Sequence, residues 1–141
     1  MATAFTLYNA AKRSMMKGTL DLDANLTCGL YKSSSNAATT ALVLVGSFTN
    51  VMDSAGYKGA NALGAITITL SGDAARLDCS NTIFSASGSF TSCMYLVVFS
   101  SFSGVGNQAV CWSQLSASAF SVTDTNTLTI QFNAAGLFNL T

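Results

Sequence analysis

The amino-acid sequence predicts an all-β protein, an antiparallel sandwich or jelly roll of about eight strands with a short N-terminal helix. Segments in which apolar and polar residues alternate recur along the chain, and turn residues separate them at regular intervals. Half of the 141 residues are hydrophobic. That content is enough for one core, so residues 1–141 are predicted to form a single domain.

Residues 1–18 are predicted to form a helix or arm. Their apolar side chains recur at the three-and-four spacing of one helical face, at Ala4, Leu7, Tyr8, Ala11 and Met15. Gly18 follows this face and favours a left-handed stop. The helix is therefore expected to end near residue 17.

After Gly18 the period of the pattern changes to two. In residues 65–70, Ile66, Ile68 and Leu70 alternate with threonines, which predicts a half-buried strand of an antiparallel sheet. Residues 93–99 are apolar on both faces, which predicts a central strand that is covered on both sides. Further strands are predicted at residues 26–31, 74–79, 82–85, 109–115, 127–132 and 137–140.

Residues 33–63 carry the weakest pattern. Residues 37–45 fit a strand or a helix equally well, and residues 46–63 look like a long excursion between elements. A segment of that length inside a small domain is often functional. It is either a contact arm or a plain surface loop.

The chain carries very little charge. Only 9% of its residues are charged, against about 25% in ordinary soluble domains, and its six acidic and six basic residues cancel. Such a surface resists association poorly, which favours a subunit of an assembly. The Lys and Arg residues are scattered along the chain, so no nucleic-acid partner is predicted.

Few residues are suited to chemistry. There is no histidine, and the carboxylates form no motif, so no enzymatic activity, catalytic residue, metal site or cofactor is predicted. Cys28, Cys79, Cys93 and Cys111 lie in or beside apolar runs and are predicted to be buried free thiols. Two disulfides in any of three pairings remain open.

The apolar runs fall far short of the roughly 20 residues that cross a bilayer. Basic residues stand where the apolar part of a signal peptide would lie. No membrane partner is therefore predicted, and synthesis in the cytoplasm is expected.

Several short motifs occur in a characteristic order. They are Leu-Tyr-Asn at residues 7–9, Lys-Gly at 17–18, Asp-Leu-Asp at 21–23, Gly-Tyr at 56–57, the run 94–99 and the closing run 128–138. In this order the chain resembles a family of small structural proteins of tailed double-stranded DNA bacteriophages, which includes the capsid cement, or decoration, proteins. The chain departs from that family at Phe132, where tryptophan is usual, and in its weakly charged loops.

This resemblance implies a jelly roll that associates with itself, as a homodimer or another homo-oligomer. It also implies a partner, the phage major capsid protein, whose shell the protein would stabilise from the outer surface of the head. The expected location is then the virion, after synthesis in the host cytoplasm. A structural protein of the tail, baseplate or fibre, and a carbohydrate-binding module, are the alternatives.

Five residues are predicted to contact the shell or a sister subunit: Phe5, Tyr8, Lys12, Arg13 and Tyr57. Tyr95 and Trp112 lie in predicted strands, where large aromatic side chains most often anchor a core or an interface. A sugar-binding face is the alternative for these aromatic residues.

Overall fold

A computed structural model describes residues 2–22, 25–52, 56–72, 74–100, 107–132 and 136–140. The predicted all-β class is confirmed, since the chain is mostly antiparallel β structure with one short α-helix. Its elements in chain order are β1 (Thr6–Leu7), α1 (Asn9–Met16), β2 (Leu26–Lys32), a 3-10 turn (Val45–Ser47), β3 (Asn61–Ala62), β4 (Thr67–Ser71), β5 (Ala74–Asp78), β6 (Thr82–Ser85), β7 (Phe90–Ser100), β8 (Gln108–Gln114), β9 (Phe120–Val122), β10 (Thr127–Ile130) and β11 (Phe138–Leu140).

The described strands form three open sheets. The main sheet has the order β1-β8-β7-β2-β3, and β9 pairs with the first part of β7. A three-stranded sheet has the order β11-β5-β4, and a two-stranded sheet pairs β10 with β6. Every pairing is antiparallel.

Strand β7 lies at the centre of the molecule, as its apolar sequence predicted. Adjacent side chains of a strand point to opposite faces, yet Leu96 and Val97 are both fully buried. Leu96 belongs to the cluster that packs against the two smaller sheets, which includes Leu77 and Phe84. Val97 belongs to a second cluster, which packs beneath α1 and residues 36–48. The main sheet is therefore covered on both sides.

The helix begins later than the sequence predicted. Thr6 and Leu7 are extended because they pair with Trp112 and Cys111 at the edge of β8. The Tyr8 N–H continues this ladder and donates to the carbonyl oxygen of Val110 at 3.0 Å. Pairing with a distant strand thus overrides the helical spacing of residues 4–8.

The end of the helix agrees with the prediction. Helix α1 ends at Met16, and Gly18 follows with a positive φ of 64°. The helix is fastened to β8 by a hydrogen bond of 2.9 Å from Gln108 Nε2 to Ser14 Oγ. This docking holds the N-terminal segment against the edge of the main sheet.

Residues 37–45 form turns that lead into the 3-10 turn, and neither predicted element occurs there. The Asn36 side chain organises this region, because its Nδ2 donates to Ser47 O and its Oδ1 accepts from the Thr49 N–H. Buried Phe48 then packs against Tyr31, with ring centroids 5.2 Å apart. The sequence Gly104-Val105-Gly106-Asn107 predicts a turn, and of these four residues only Asn107 is among the described ones.

Side chains connect the main sheet with the two-stranded sheet, and Cys28 of β2 and Thr82 of β6 are hydrogen-bonded across the join. Asn61 Nδ2 in β3 donates to the carbonyl oxygen of Ile83 in β6 at 2.9 Å. The strands from β1 to β3 are thereby continued by β6 and β10. In the described part of the chain no pairing joins β10 back to β1, so this curled layer has an opening, which we call the seam.

Candidate functional site

The seam is a groove of about 950 Å³ between the N-terminal segment and strands β10 and β11. Its apolar lining includes Phe5, Leu7, Leu115, Phe120, Leu128 and Leu137. Lys12 is the one charged side chain among the described residues that line it. The Phe5 and Phe132 rings meet at its border, with centroids 5.9 Å apart. Hydroxyl and amide side chains of Thr3, Ser113 and Gln131 also line it, so the seam suits an uncharged ligand that offers both apolar and hydrogen-bonding groups.

Strand β10 presents backbone hydrogen-bonding groups to this groove. The Ala86 N–H donates to Asn126 O at 2.9 Å, just before the first β6–β10 pair. Residues of an antiparallel pair alternate between facing the partner strand and facing away. Leu128 and Ile130 therefore face β6, whereas Thr127 and Thr129 direct their N–H and C=O groups away from β6.

Strand β1 presents backbone hydrogen-bonding groups to the groove from the opposite side. The Tyr8 N–H donates to the carbonyl oxygen of Val110, so Tyr8 faces β8. Because successive residues of a strand alternate in direction, the N–H and C=O groups of Leu7 point away from β8. Leu7 and Thr129 both line the seam. An extended peptide in the seam would find backbone partners on each side, which is the arrangement used when a peptide adds a strand to a sheet.

The structure places the five predicted contact residues in three different environments. Phe5 and Lys12 line the seam, and exposed Arg13 neighbours Lys12 on α1. Tyr8 is 0% exposed, and its hydroxyl donates to the carbonyl oxygen of Ala37. Within this chain Tyr8 thus holds α1 and residues 36–48 together.

Tyr57 lies apart from the other four. Its hydroxyl oxygen accepts a hydrogen bond of 3.1 Å from the Leu30 N–H. Its ring stacks on Phe84 and meets the edge of Phe90, at centroid distances of 5.9 Å and 5.8 Å. Burial raises the pKa of Tyr57 to about 12. One side of Tyr57 lines a small groove of about 160 Å³ beside Ile83.

The predicted half-burial of the strand at residues 65–70 is wrong for its second half. Ile68 is 50% exposed and Leu70 is 85% exposed, although both alternate with threonines as expected. The reason is position, because β4 is the last strand of the three-stranded sheet and extends past the core. Nothing in the alternating pattern distinguishes an edge strand from a covered one.

The thiols are unpaired, and Cys28, Cys93 and Cys111 are buried as predicted, while Cys79 is partly exposed. Burial raises the pKa of Cys28, Cys79 and Cys93 to about 12 and that of Cys111 well above its usual value. All four therefore stay protonated at neutral pH, and a protonated thiol is a poor nucleophile and a poor metal ligand.

The described residues contain neither a candidate metal site nor a candidate membrane-spanning helix. No group of three or more His, Cys, Asp or Glu side chains is placed so that it would hold a metal ion. No described helix has the length and apolar character needed to pass through a bilayer.

Tyr95 and Trp112 form an edge-to-face pair, with ring centroids 6.0 Å apart, on the face of the main sheet that packs beneath α1.

Comparison with known proteins finds no family model, no curated protein and no solved structure that matches this chain.

Proposed function

We propose that this chain is a non-enzymatic structural protein of a bacteriophage virion, a capsid cement protein that binds the outer surface of the head. In this proposal the three open sheets are a variant of the family's jelly-roll sandwich. The observation that carries the proposal is the seam, an almost uncharged groove between two open strand edges. Such a site binds by shape and backbone pairing and needs no reactive group.

The proposed ligand is an extended segment of the major capsid protein. Its backbone pairs with Thr129 of β10 on one side and with Leu7 of β1 on the other. Its apolar side chains replace water against Phe120 and Leu137. Burial of such surface contributes about 25 cal/mol per Å² before the loss of freedom on binding is subtracted.

The function follows from mass action. A protein that binds only the assembled, expanded shell adds its binding free energy to that state and therefore stabilises it. A head repeats the same site many times, so modest interfaces give a large total effect. The low charge of the chain fits this role, because the contacts depend on complementary surfaces and not on long-range attraction.

The test is rebinding of the purified protein to expanded heads from which cement protein has been stripped. Thr129→Pro removes an N–H that faces the seam and leaves the bonds between β10 and β6 in place. We expect this variant to bind at least about 10-fold more weakly, because a lost hydrogen bond and a misfitting strand together cost more than about 1.4 kcal/mol.

Thr127→Pro is the matched control. Thr127 has the same type, strand, exposure and outward direction, but it lies at the start of β10 and does not line the seam. Proline is tolerated at the first residue of a strand. We expect this variant to rebind like the wild type, with a melting temperature close to that of Thr129→Pro.

Equal binding by both variants would refute the role of the seam. Cryo-electron microscopy of the decorated particles decides between the two virion assignments. Density on the tail instead of the head would replace the cement assignment with that of a tail structural protein. Binding to a glycan array without any binding to particles would refute both.

A further inference from the structure

Strand β4 carries an apolar surface that nothing in the described chain covers. Its partners in β5 are Leu77 for Ile68 and Ala75 for Leu70. Directly opposed residues share one face of a sheet, so Ile68 and Leu70 lie on the face that buries Leu77 to 2% exposure. The core-facing side of this sheet thus continues one strand beyond the core.

The opposite face of the same strands is polar. Thr67 and Thr69 pair with Asp78 and Arg76 of β5, and both threonines are exposed. The sheet therefore keeps the usual separation of a solvent face and a core face up to its last strand. Ile68 and Leu70 are therefore exposed because no described element packs on this face of β4. The alternation of polar and apolar residues itself continues through the strand.

The backbone of β4 is also ready to pair. Ser71 and Ala74 close a hairpin with a two-residue connection, and the closing pair of such a hairpin is hydrogen-bonded. Counting back from Ser71, Thr69 and Thr67 face β5. Ile68 and Leu70 therefore direct their N–H and C=O groups to the open edge.

In the described part of the chain, β4 shows none of the devices that usually protect an edge strand. Residues 59–72 contain no charged side chain, and the chain contains no proline. Natural proteins block exposed edges with lysine, proline or bulges because a bare edge pairs with other strands. An apolar edge strand without such protection is suited to pair with a strand of another chain.

We propose that β4 pairs antiparallel with β4 of a second copy, about a two-fold axis at Thr69. Ile68 then lies opposite Leu70 of the partner subunit, and the two three-stranded sheets join into one of six strands. The strand is complementary to itself in this register. Its outward-facing residues meet each other, four apolar side chains share one face, and no charges oppose each other.

This interface does not rest on shell binding, because the seam involves other strands. Two five-residue strands bury less than the roughly 1,200 Å² of a standard stable interface. We therefore expect dimerisation of the free protein to depend on concentration, and a measurement at several concentrations is needed to detect it.

The most specific test is a cysteine at the two-fold axis. Thr69 and Thr69 of the partner subunit would form a non-hydrogen-bonded pair with Cα atoms about 4.5 Å apart, within the range of a disulfide. Thr69→Cys should therefore give a covalent dimer under mild oxidation, seen on a non-reducing gel.

Thr67→Cys is the matched control, on the same strand and the same face. In this register the two copies of residue 67 stand about 14 Å apart, beyond the reach of a disulfide. The wild-type chain, with its four native thiols, controls for background cross-linking. Equal cross-linking of the two variants, or none for Thr69→Cys, would overturn the proposed register.

A second measurement tests the pairing without new thiols. Leu70→Lys places a charge in the apolar patch and should shift the protein to the monomer in sedimentation equilibrium. Met16→Lys, at an 84% exposed position on α1, should leave association unchanged. A wild type that stays monomeric at the highest concentration, or a Leu70→Lys variant that still dimerises, would refute the proposal.

Discussion

Strands β7 and β4 both carry large aliphatic side chains, yet these side chains reach opposite ends of the burial range. Leu96 in β7 is 0% exposed, whereas Leu70 in β4 is 85% exposed. β7 has β8 on one side and β2 on the other, and it has packed layers above and below. β4 has one neighbour and an uncovered face. Apolar content alone therefore does not decide burial, because the place of a strand in the sheet order decides whether the chain covers it.

The largest expected effect is a loss of stability of the folded chain at alkaline pH, and it comes from the thiols whose pKa is raised by burial. Burial raises the pKa of Cys28, Cys79 and Cys93 from 9.0 to about 12 in the folded chain. Between pH 9 and 12 these thiols ionise in the unfolded chain only, so the unfolded state binds fewer protons. Their contribution to stability is complete below pH 9 and is lost as the pH rises toward 12.

Urea unfolding at pH 7, 9 and 10.5 measures this loss. We expect the midpoint to be lowest at pH 10.5, and a midpoint that rises over this range would contradict the burial of the thiols. A chain in which Cys79 alone is replaced by serine controls for the partly exposed thiol, since the other three lie in the main sheet.

The next effect is the difference in stability between two leucine-to-alanine substitutions, one in β7 and one in β4. Leu96→Ala removes fully buried atoms and should lower the free energy of unfolding by about 2–5 kcal/mol. Leu70→Ala removes atoms already in water and should change it by less than about 0.5 kcal/mol in the monomer. Chemical denaturation at low protein concentration compares them, and equal losses would mean that β4 is covered within the chain.

The smallest of the three expected losses of stability concerns the layer that covers β7. Tyr8→Phe removes the hydroxyl that donates to Ala37 O and leaves that carbonyl without this donor. We expect a loss of about 1–3 kcal/mol in the free energy of unfolding. Rebinding to stripped heads should be unchanged, because Tyr8 does not line the seam. If Tyr8→Phe lost rebinding while its stability stayed unchanged, Tyr8 would have to contact the shell directly.

Much of the fold was predictable because it depends on local pattern. The strand at residues 82–85 was predicted at its observed ends, and the apolar run 93–99 identified the central strand. Thr6 and Leu7 were missed because their extended state depends on β8, about a hundred residues away. Two-residue β3 was missed because it is too short to show a period.

The site was less predictable than the fold. Phe5 and Lys12 were placed among the contact residues and do line the seam, but Thr129 and Leu137 were not singled out. A seam is made by strands that fail to pair, and no sequence period records which edges stay open. Leu70 had the right alternation and the wrong expected burial for the same reason.

The bond from Asn61 to Ile83 has a consequence for motion. It joins the β6–β10 pair to β3 through a side chain, and Cys28 of β2 reaches Thr82 of β6 through another, whereas neighbouring strands within each sheet are joined by ladders of backbone bonds. Because buried Phe84 and Ile130 also hold this pair in the core, breaking the amide contact alone does not release it. Opening of the pair also costs the burial of these two side chains, although it leaves the backbone ladders of β7 intact. The edge of β10 is therefore held in place by packed side chains, and the groove beside it is preformed.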